Sequence, residues 1–498
     1  MMKKITSLLT ALLTAASAAA CGGGGNTPAA QTTAGAGDPG QTDETAAETT
    51  VSFDPMIEAA DYGGQHIGML TPKTDNYCRL IDDISAETED GNALNDAIYR
   101  RNSVIMEKYN VVFDVTVGDV SAIVSKSVKS GSDDYGIVLG GLNANTSLAA
   151  DGNFIELGIL PHIDMEKPYW SRAINEDIKI SGRNFFGVSD LTIQAYFASG
   201  IVYFNKALAK EYQLRDPYQT TIDGKWTLDE LISLSRAVSG DVDGNGVLDE
   251  KDRYGITFNN FAWQILFYGS GETFVKKDDA DLLVWNGGGT RLLSVIQKLM
   301  PISQDQTVTL YSENYKAVGG EYRIEVCRRA FNEGRALMWL EAMYGVPALR
   351  EMENDFGILP VPKYDEAQEN YGSFVHTTHS SSVAVPTTIG SSEMIGAILE
   401  DLTYQSSLTV RPAFIETTLK GKYARDNDSE KMIDLIIGNI RTDYGLLLNS
   451  YGLTTDTDMR KLMDSGSSDA SSVLAKNEAK YLKVLEKYND IIRGIPAG

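Results

Sequence analysis

The sequence predicts an α/β protein with a largely parallel sheet. Short runs rich in β-branched residues recur along the chain, and segments of helical periodicity fill the stretches between them. No internal repeat of fixed period competes with that alternation.

The elements follow in order. His66–Leu70 is the first strand. Asn95–Tyr109 is a helix, with Leu94, Ile98, Ile105 and Met106 on one side. Val111–Val117 is a strand dense in β-branched side chains, and Tyr135–Leu139 is another, ending in Gly140-Gly141. Phe185–Val188 and Gly200–Phe204 read as strands, and Lys206–Tyr212 as a helix. A further helix opens at Trp226, with Thr227 as N-cap and Glu230 completing a capping box, which places Trp226 in the core. Tyr254–Phe258 is a strand, Glu325–Glu333 a helix and Ala336–Leu340 a buried strand. Phe356–Val361 and Ser381–Val385 are extended. From Glu393 the chain is mainly helical, ending with Ser471–Ile492.

Between the Trp226 helix and the Tyr254 strand lies Asp241-Val-Asp-Gly-Asn-Gly-Val-Leu-Asp-Glu-Lys-Asp252. Oxygen donors stand at loop positions one, three, five, nine and twelve, and Gly246 at six permits the sharp turn that a twelve-residue calcium loop needs. Asp241, Asp243, Asn245, the Val247 carbonyl, Asp249 and Asp252 are the candidate ligands, and Leu248 pins the loop to the core. Asp252 stands where Glu is usual, and its shorter arm lowers the expected affinity. A single loop outside a paired helix–loop–helix points to structural Ca2+, stapling a helix end to a strand start.

Lys3 and Lys4 precede the apolar run Ile5–Ala16, then Ser17-Ala-Ala-Ala and Cys21. Small residues before a lone cysteine resemble the lipobox of bacterial lipoproteins, with Ala18 where Leu is usual. That likeness implies that residues 1–20 are a cleaved leader and that Cys21 is acylated. An ordinary secretory signal is the other reading, and both export the chain. Residues 21–62 are poor in bulky apolar groups and read as a flexible tether. The expected location is the extracytoplasmic face of the bacterial cell membrane. Only Cys78 and Cys327 remain beyond Cys21, too few for a disulfide framework, and they either pair or stay as separate thiols. The net charge of −24 argues against nucleic acid and polyphosphate partners. About 440 residues beyond the tether suffice for two lobes with separate cores.

Several segments, in this order, resemble the extracellular solute-binding proteins of ABC importers, and most of all the carbohydrate-binding lipoproteins. They are Asp134–Val138, Val202–Ala207, Lys225–Leu231, Ala330–Met338, Phe356–Lys363 and Ala424–Met432. The resemblance implies a type 2 periplasmic-binding-protein fold: two α/β lobes, a hinge and an interlobe cleft. Residues 63–190 and 380–425 would form one lobe, and 191–379 and 426–498 the other. Crossings are expected near Val188–Ser199, Tyr371–Ser382 and Lys422–Asp434. A monomer that hands an oligosaccharide to ABC permease subunits is the implied role, held to the membrane through Cys21.

A sugar needs aromatic platforms for its ring faces and planar polar groups for its hydroxyls. Trp339 and Glu341 share one side of an extended segment, at a strand end where ligands of that family stack. Asn143 follows the Gly140-Gly141 strand end, which faces the cleft in that fold. Asp190 lies at the first crossing, and Trp170, Trp263 and Tyr268 are read as loop residues. These seven are the candidate ligand contacts.

Enzymatic readings find less support. His376-Thr-Thr-His379 is not the His-Glu-x-x-His of zinc hydrolases, and Gly287-Gly-Gly289 lacks a following Lys-Ser or Lys-Thr. No Gly-x-Ser-x-Gly elbow occurs. No catalytic residue is assigned, and the chain is not expected to be an enzyme. A lipid-anchored carbohydrate-active enzyme and a polyamine or peptide binder of the same fold are the alternatives.

Overall fold

Two separate sheets organise the chain. In the computed structural model, residues 53–75, 78–315, 323–350, 352–416 and 427–496 are described. The leader, Cys21 and the tether up to residue 52 lie outside them. In chain order the strands are β1 (Gln65–Thr71), β2 (Val111–Val117), β3 (Ile137–Gly140), β4 (Gly200–Asn205), β5 (Tyr254–Phe258), β6 (Val275–Lys277), β7 (Leu283–Trp285), β8 (Thr309–Tyr311), β9 (Ala336–Ala342), β10 (Phe356–Leu359), β11 (Ser373–Phe374), β12 (Ser382–Ala384) and β13 (Ile440–Arg441).

The first lobe carries the order β12-β3-β1-β2, and the second carries β10-β4-β9-β5-β8. Each is mixed rather than largely parallel. β1 runs parallel to β2 and β3, but β12 is antiparallel to β3. β5 runs parallel to β8 and β9, but β4 is antiparallel to both β9 and β10. In the first lobe the antiparallel strand is the one that comes back from the other lobe: β12 enters along the free edge of β3 after the five-stranded sheet of the second lobe is complete.

Local chemistry explains the element ends. The helix Ala93–Tyr109 is capped by Asn92, whose side chain accepts from the Leu94 and Asn95 amides, and it ends at Asn110 with φ 46°. Thr227 caps Leu228–Val238 by accepting from the Glu230 amide. The expected capping box is only half made, because the Glu230 carboxylate turns to Arg215 at 2.5 Å. That helix lies directly on β5: a Cβ on Gly255 would stand 2.1 Å from the Ser235 Cα, so only glycine permits the approach.

Two further expectations fail. Phe185–Val188 is not a strand. It makes one bridge, Gly187 to Val383, and the Val188 backbone is satisfied instead by the Asn175 side chain at 2.8 and 2.9 Å. The tether also ends earlier than residue 62. Tyr62 stacks on Tyr109 with centroids 6.1 Å apart, its amide donates to the Tyr109 carbonyl, and Ile57 and Ala60 pack on the first core.

The first core joins Ile67, Met69, Ile137 and Leu139 to Ile105 and to Ile398 and Leu402 of the helix Ser392–Leu408. The second fills the other sheet and continues through Tyr196 and Phe197 into Leu142 and Leu148 of the first lobe. The C-terminal helix Ala470–Gly494 touches both lobes. Its Tyr481 ring meets Trp285 on β7, its Tyr488 hydroxyl reaches the Thr146 carbonyl, and Arg183 donates to the Ile492 and Ile495 carbonyls. The tail assigned to the second lobe is therefore shared. Among the described residues no helix is long and apolar enough to cross a membrane.

Candidate cleft floor

The chain passes between the sheets through the short helix Ile193–Phe197 and again through 375–382, where Ser199 bridges Val375. The third expected crossing, Lys422–Asp434, lies partly outside the described residues. Gln194 ties the first two together. Its Nε2 donates to the Cys78 and His379 carbonyls, both at 2.8 Å, and its Oε1 accepts from the Ile81 amide. The loop after β1 is thereby fixed to both crossings.

Polar side chains converge there. Asp75 Oδ1 accepts from the Cys78 and Arg79 amides. Arg79 Nη2 donates to the Thr378 and Ser380 carbonyls at 3.0 and 2.6 Å. Asn143 Nδ2 donates to Thr378 Oγ1 at 3.1 Å, and its amide donates to the Thr377 carbonyl. Rings pack at a tilt across the crossing: Phe261 against His376 at 4.8 Å, and His376 against His379 at 4.3 Å. Arg460 lies 5.9 Å over Phe261, held by Asp456 and by Asn260 Oδ1.

Both histidines are held below their ordinary pKa. Burial is the main cause for each, and His379 and Arg460 add to it for His376. His376 Nδ1 accepts from the Thr378 and His379 amides, which leaves its proton on Nε2. At neutral pH the pair works by hydrogen bonding rather than by charge. Two acceptor-capable atoms, Asn143 Oδ1 and His379 Nδ1, are buried without a partner among the described residues. Such atoms are costly unless something fills them.

Of the seven predicted contacts, Asn143 and Glu341 come to this region. Glu341 ends β9, where it interacts with Tyr344, and Tyr344 in turn meets Cys78 from the other lobe. Asp190 is buried at the crossing, but it accepts from Tyr196 at 2.8 Å and pairs with Arg411 at 3.7 Å. Burial lifts its carboxyl to about 6. It holds the hinge rather than facing a ligand.

The four aromatic platforms are corrected. Trp170, Trp263, Tyr268 and Trp339 are at most 2% exposed. Trp170 donates to Glu400 at 3.0 Å inside the first lobe. Trp263 and Tyr268 sit on the helix Ala262–Gly269, not in a loop, and bond to Asp456 and Asp443. Trp339 is on the central strand of its sheet, stacked on Tyr203 at 5.1 Å and packed on Phe331. A central strand has helices over both faces, so its aromatic side chains become core. Trp226 is core as expected, donating to the Pro360 carbonyl. Arg79, Phe261, Tyr344, His376, His379 and Arg460 were not anticipated. Their signal was position: both histidines stand inside the expected Tyr371–Ser382 crossing.

The acidic loop folds into a cradle. One carboxylate oxygen each of Asp241, Asp243 and Asp252 lies within 4.8 Å of the others, two of these residues exposed and Asp252 buried. Asp252 accepts from the Val242 and Asp249 amides, and Asp241 from those of Gly244 and Gly246. Gly244 and Gly246 have φ of 73° and 83°. Asp249 stands outside the carboxylate trio, and Asn245 Oδ1 accepts from the Val247 amide. Three converging carboxylates repel one another without a cation, so the donor set fits a hard divalent ion. Leu248 packs on the core. Cys78 and Cys327 are free thiols.

No family model matches this chain, and no curated protein matches it. Solved structures do. The sugar-binding protein MalE of Xanthomonas citri aligns with a TM-score of 0.57 at 12% identity, over 86% of this chain and 100% of its own. The cyclic alpha-maltosyl-1,6-maltose binding protein of Arthrobacter globiformis gives 0.56 at 15%, over 85% and 100%. A sugar transporter of Rhizobium etli, in an open conformation, gives 0.56 at 14%, over 86% and 100%. The fold is that of a two-lobed, type 2 periplasmic binding protein. In that fold the cleft floor is where the crossings meet, and here the meeting point holds Arg79, Asn143, His376 and His379.

Proposed function

We propose that this protein captures an oligosaccharide outside the cytoplasm and presents it to an ABC importer, by closing its lobes and without breaking bonds. The two-lobed fold shared with sugar-binding proteins over most of the chain carries this reading. The floor chemistry supports it: Asn143 Oδ1 and His379 Nδ1 are spare acceptors for sugar hydroxyls, and the tilted, neutral histidine pair adds polar surface without charge. A ligand that touches both lobes favours the closed state by its differential affinity. The polyamine alternative loses Asp190, which already has Arg411. Acylation at Cys21, docking on permease subunits and action as a monomer complete the proposal.

We also assign Ca2+ to the loop 241–252, with Asp241, Asp243 and Asp252 at its centre and Asn245, Val247 and Asp249 completing the sphere. Bound there, the ion neutralises the trio and fixes the helix Leu228–Val238 to β5.

The test is a thermal-shift screen of the full chain in calcium against maltotriose, cyclic maltosyl-maltose, polyamines and short peptides. A bound ligand at a hundred times its Kd stabilises the fold by about 2.7 kcal/mol. A shift with one sugar class, the sugar being recovered intact, is the expected result. A shift with polyamines or peptides alone, or release of cleaved sugar, overturns the assignment.

A further inference from the structure

We propose that the oligosaccharide taken by this cleft is acidic, and that Arg79 selects it by donating to a sugar carboxylate of the uronic acid type. The inference rests on the binding reading and narrows it to a substrate class. Two arginines are buried among the described residues, Arg79 at 7% and Arg101 at 1% exposed. They are satisfied in different ways. Arg101 bonds through all three of its nitrogens: Nε and Nη2 to Asn102 Oδ1, Nη1 to Ser406 Oγ, and Nη2 also to the Asp83 carbonyl. Among the described residues Arg79 bonds through Nη2 alone, to the Thr378 and Ser380 carbonyls at 3.0 and 2.6 Å.

The carboxylates on the same loop are spent on backbone amides. Asp75 Oδ1 accepts from Cys78 and Arg79, Asp82 Oδ1 from Ile84 and Ser85, and Asp83 Oδ1 from Gln194. The remaining nitrogens of Arg79, Nε and Nη1, are not enclosed, so they keep their hydrogens toward solvent. The guanidinium is also held in place. A Cβ on Gly141, just after β3, would stand 3.5 Å from Arg79 Nη2 and 2.8 Å from the Thr378 carbonyl. Gln194 fixes the loop to both crossings. A side chain anchored in this way loses little freedom when it binds.

The surroundings of Arg79 choose the chemistry of its partner. Asn143 Oδ1 and His379 Nδ1 are acceptors and call for hydroxyls, whereas Arg79 calls for an acceptor. A neutral hydroxyl satisfies the hydrogen bond but not the charge, and lobe closure strips water from an unpaired cation at a cost. A carboxylate answers both needs through a charge-assisted bond. A uronate carries hydroxyls and a carboxylate on one ring, and so matches the acceptors and the cation together. An amino sugar would bring like charges together. The net charge of −24 repels acids at long range, but salt screens it beyond about 8–10 Å, so the contact is decided locally. From Arg79 the floor runs on through His379, His376 and Phe261 to Arg460, whose charge Asp456 already balances. The acidic unit therefore belongs at the Arg79 end.

The test is titration calorimetry of the full chain in calcium. The probes are uronate oligosaccharides cut from polygalacturonate, alginate and hyaluronan, each also in carboxyl-reduced form, together with maltotriose. An acidic oligosaccharide should bind about tenfold more tightly than its reduced counterpart. Arg79→Gln should abolish that preference, and Arg79→Lys, which keeps the charge, should retain it. A residue that only props the crossing carbonyls would leave the preference unchanged in both. If Arg79→Gln does not fold, the crystal structure of the native complex carries the test. The sugar carboxylate should lie within hydrogen-bond distance of Arg79 Nη1 or Nε, and a carboxylate placed elsewhere overturns the assignment. Equal affinity for the acidic and reduced forms, or a preference that survives in Arg79→Gln, also overturns it. If maltotriose or a reduced sugar binds and no uronate does, the acidic assignment falls and the oligosaccharide reading stands. If no sugar of either kind binds, both fall.

Discussion

The acidic loop and the cleft floor are both concentrations of polar side chains, yet they are assembled in opposite ways. The loop draws every candidate donor from the twelve residues 241–252. The floor gathers residues 75, 78, 79, 143, 260–261, 341, 344, 376–379 and 460, from both lobes and both crossings. A site closed within one turn stabilises its neighbourhood whatever the lobes do. A site spread over two lobes changes whenever they move, and so it can couple ligand to conformation. Perturbing the first should therefore change stability alone, and perturbing the second should change affinity alone.

The largest effect should come from a residue that belongs to neither region. Trp339→Ala empties a stacked core position and should cost about 3–5 kcal/mol in chemical denaturation. If the variant instead keeps its stability and loses only sugar affinity, Trp339 is a ligand platform after all and the floor must be redrawn. Next, Asp243→Ala should lower Tm by several degrees in calcium. The difference should vanish after chelation, and ligand affinity should stay nearly intact. A large affinity loss at unchanged Tm would break the separation between the two regions. The smallest effect should be that of Asn143→Ala, which removes a spare acceptor at the floor. Titration calorimetry should find affinity about tenfold weaker, or about 1.4 kcal/mol, at unchanged Tm.

Much of the fold was legible because it is written locally. β-branched runs mark β2 and β4, and Thr227 marks the start of its helix to the residue. The mixed character of the sheets was not legible, since strand direction depends on where β12 and β4 enter their sheets, not on their composition. Val188 shows another limit: its backbone is satisfied by the distant Asn175 side chain, so a strand-like sequence forms no strand. At the floor, Asn143 and Glu341 were found because strand ends point there. The tryptophans misled because an aromatic side chain suits a sugar face and a helix–sheet interface equally well. His376 and His379 were seen, but only as a failed metal motif. Their value lies in packing against each other, with His376 also against Phe261, contacts no spacing reveals.

The burial of those tryptophans also decides how the protein can be watched. Trp170, Trp226, Trp263 and Trp339 are all enclosed, and Trp285 is only partly accessible. Intrinsic emission should be blue-shifted, slow to quench with acrylamide, and dominated by chromophores in the lobe interiors. A sugar could then enter the cleft with almost no change in that signal, and a silent fluorescence titration would say nothing about occupancy.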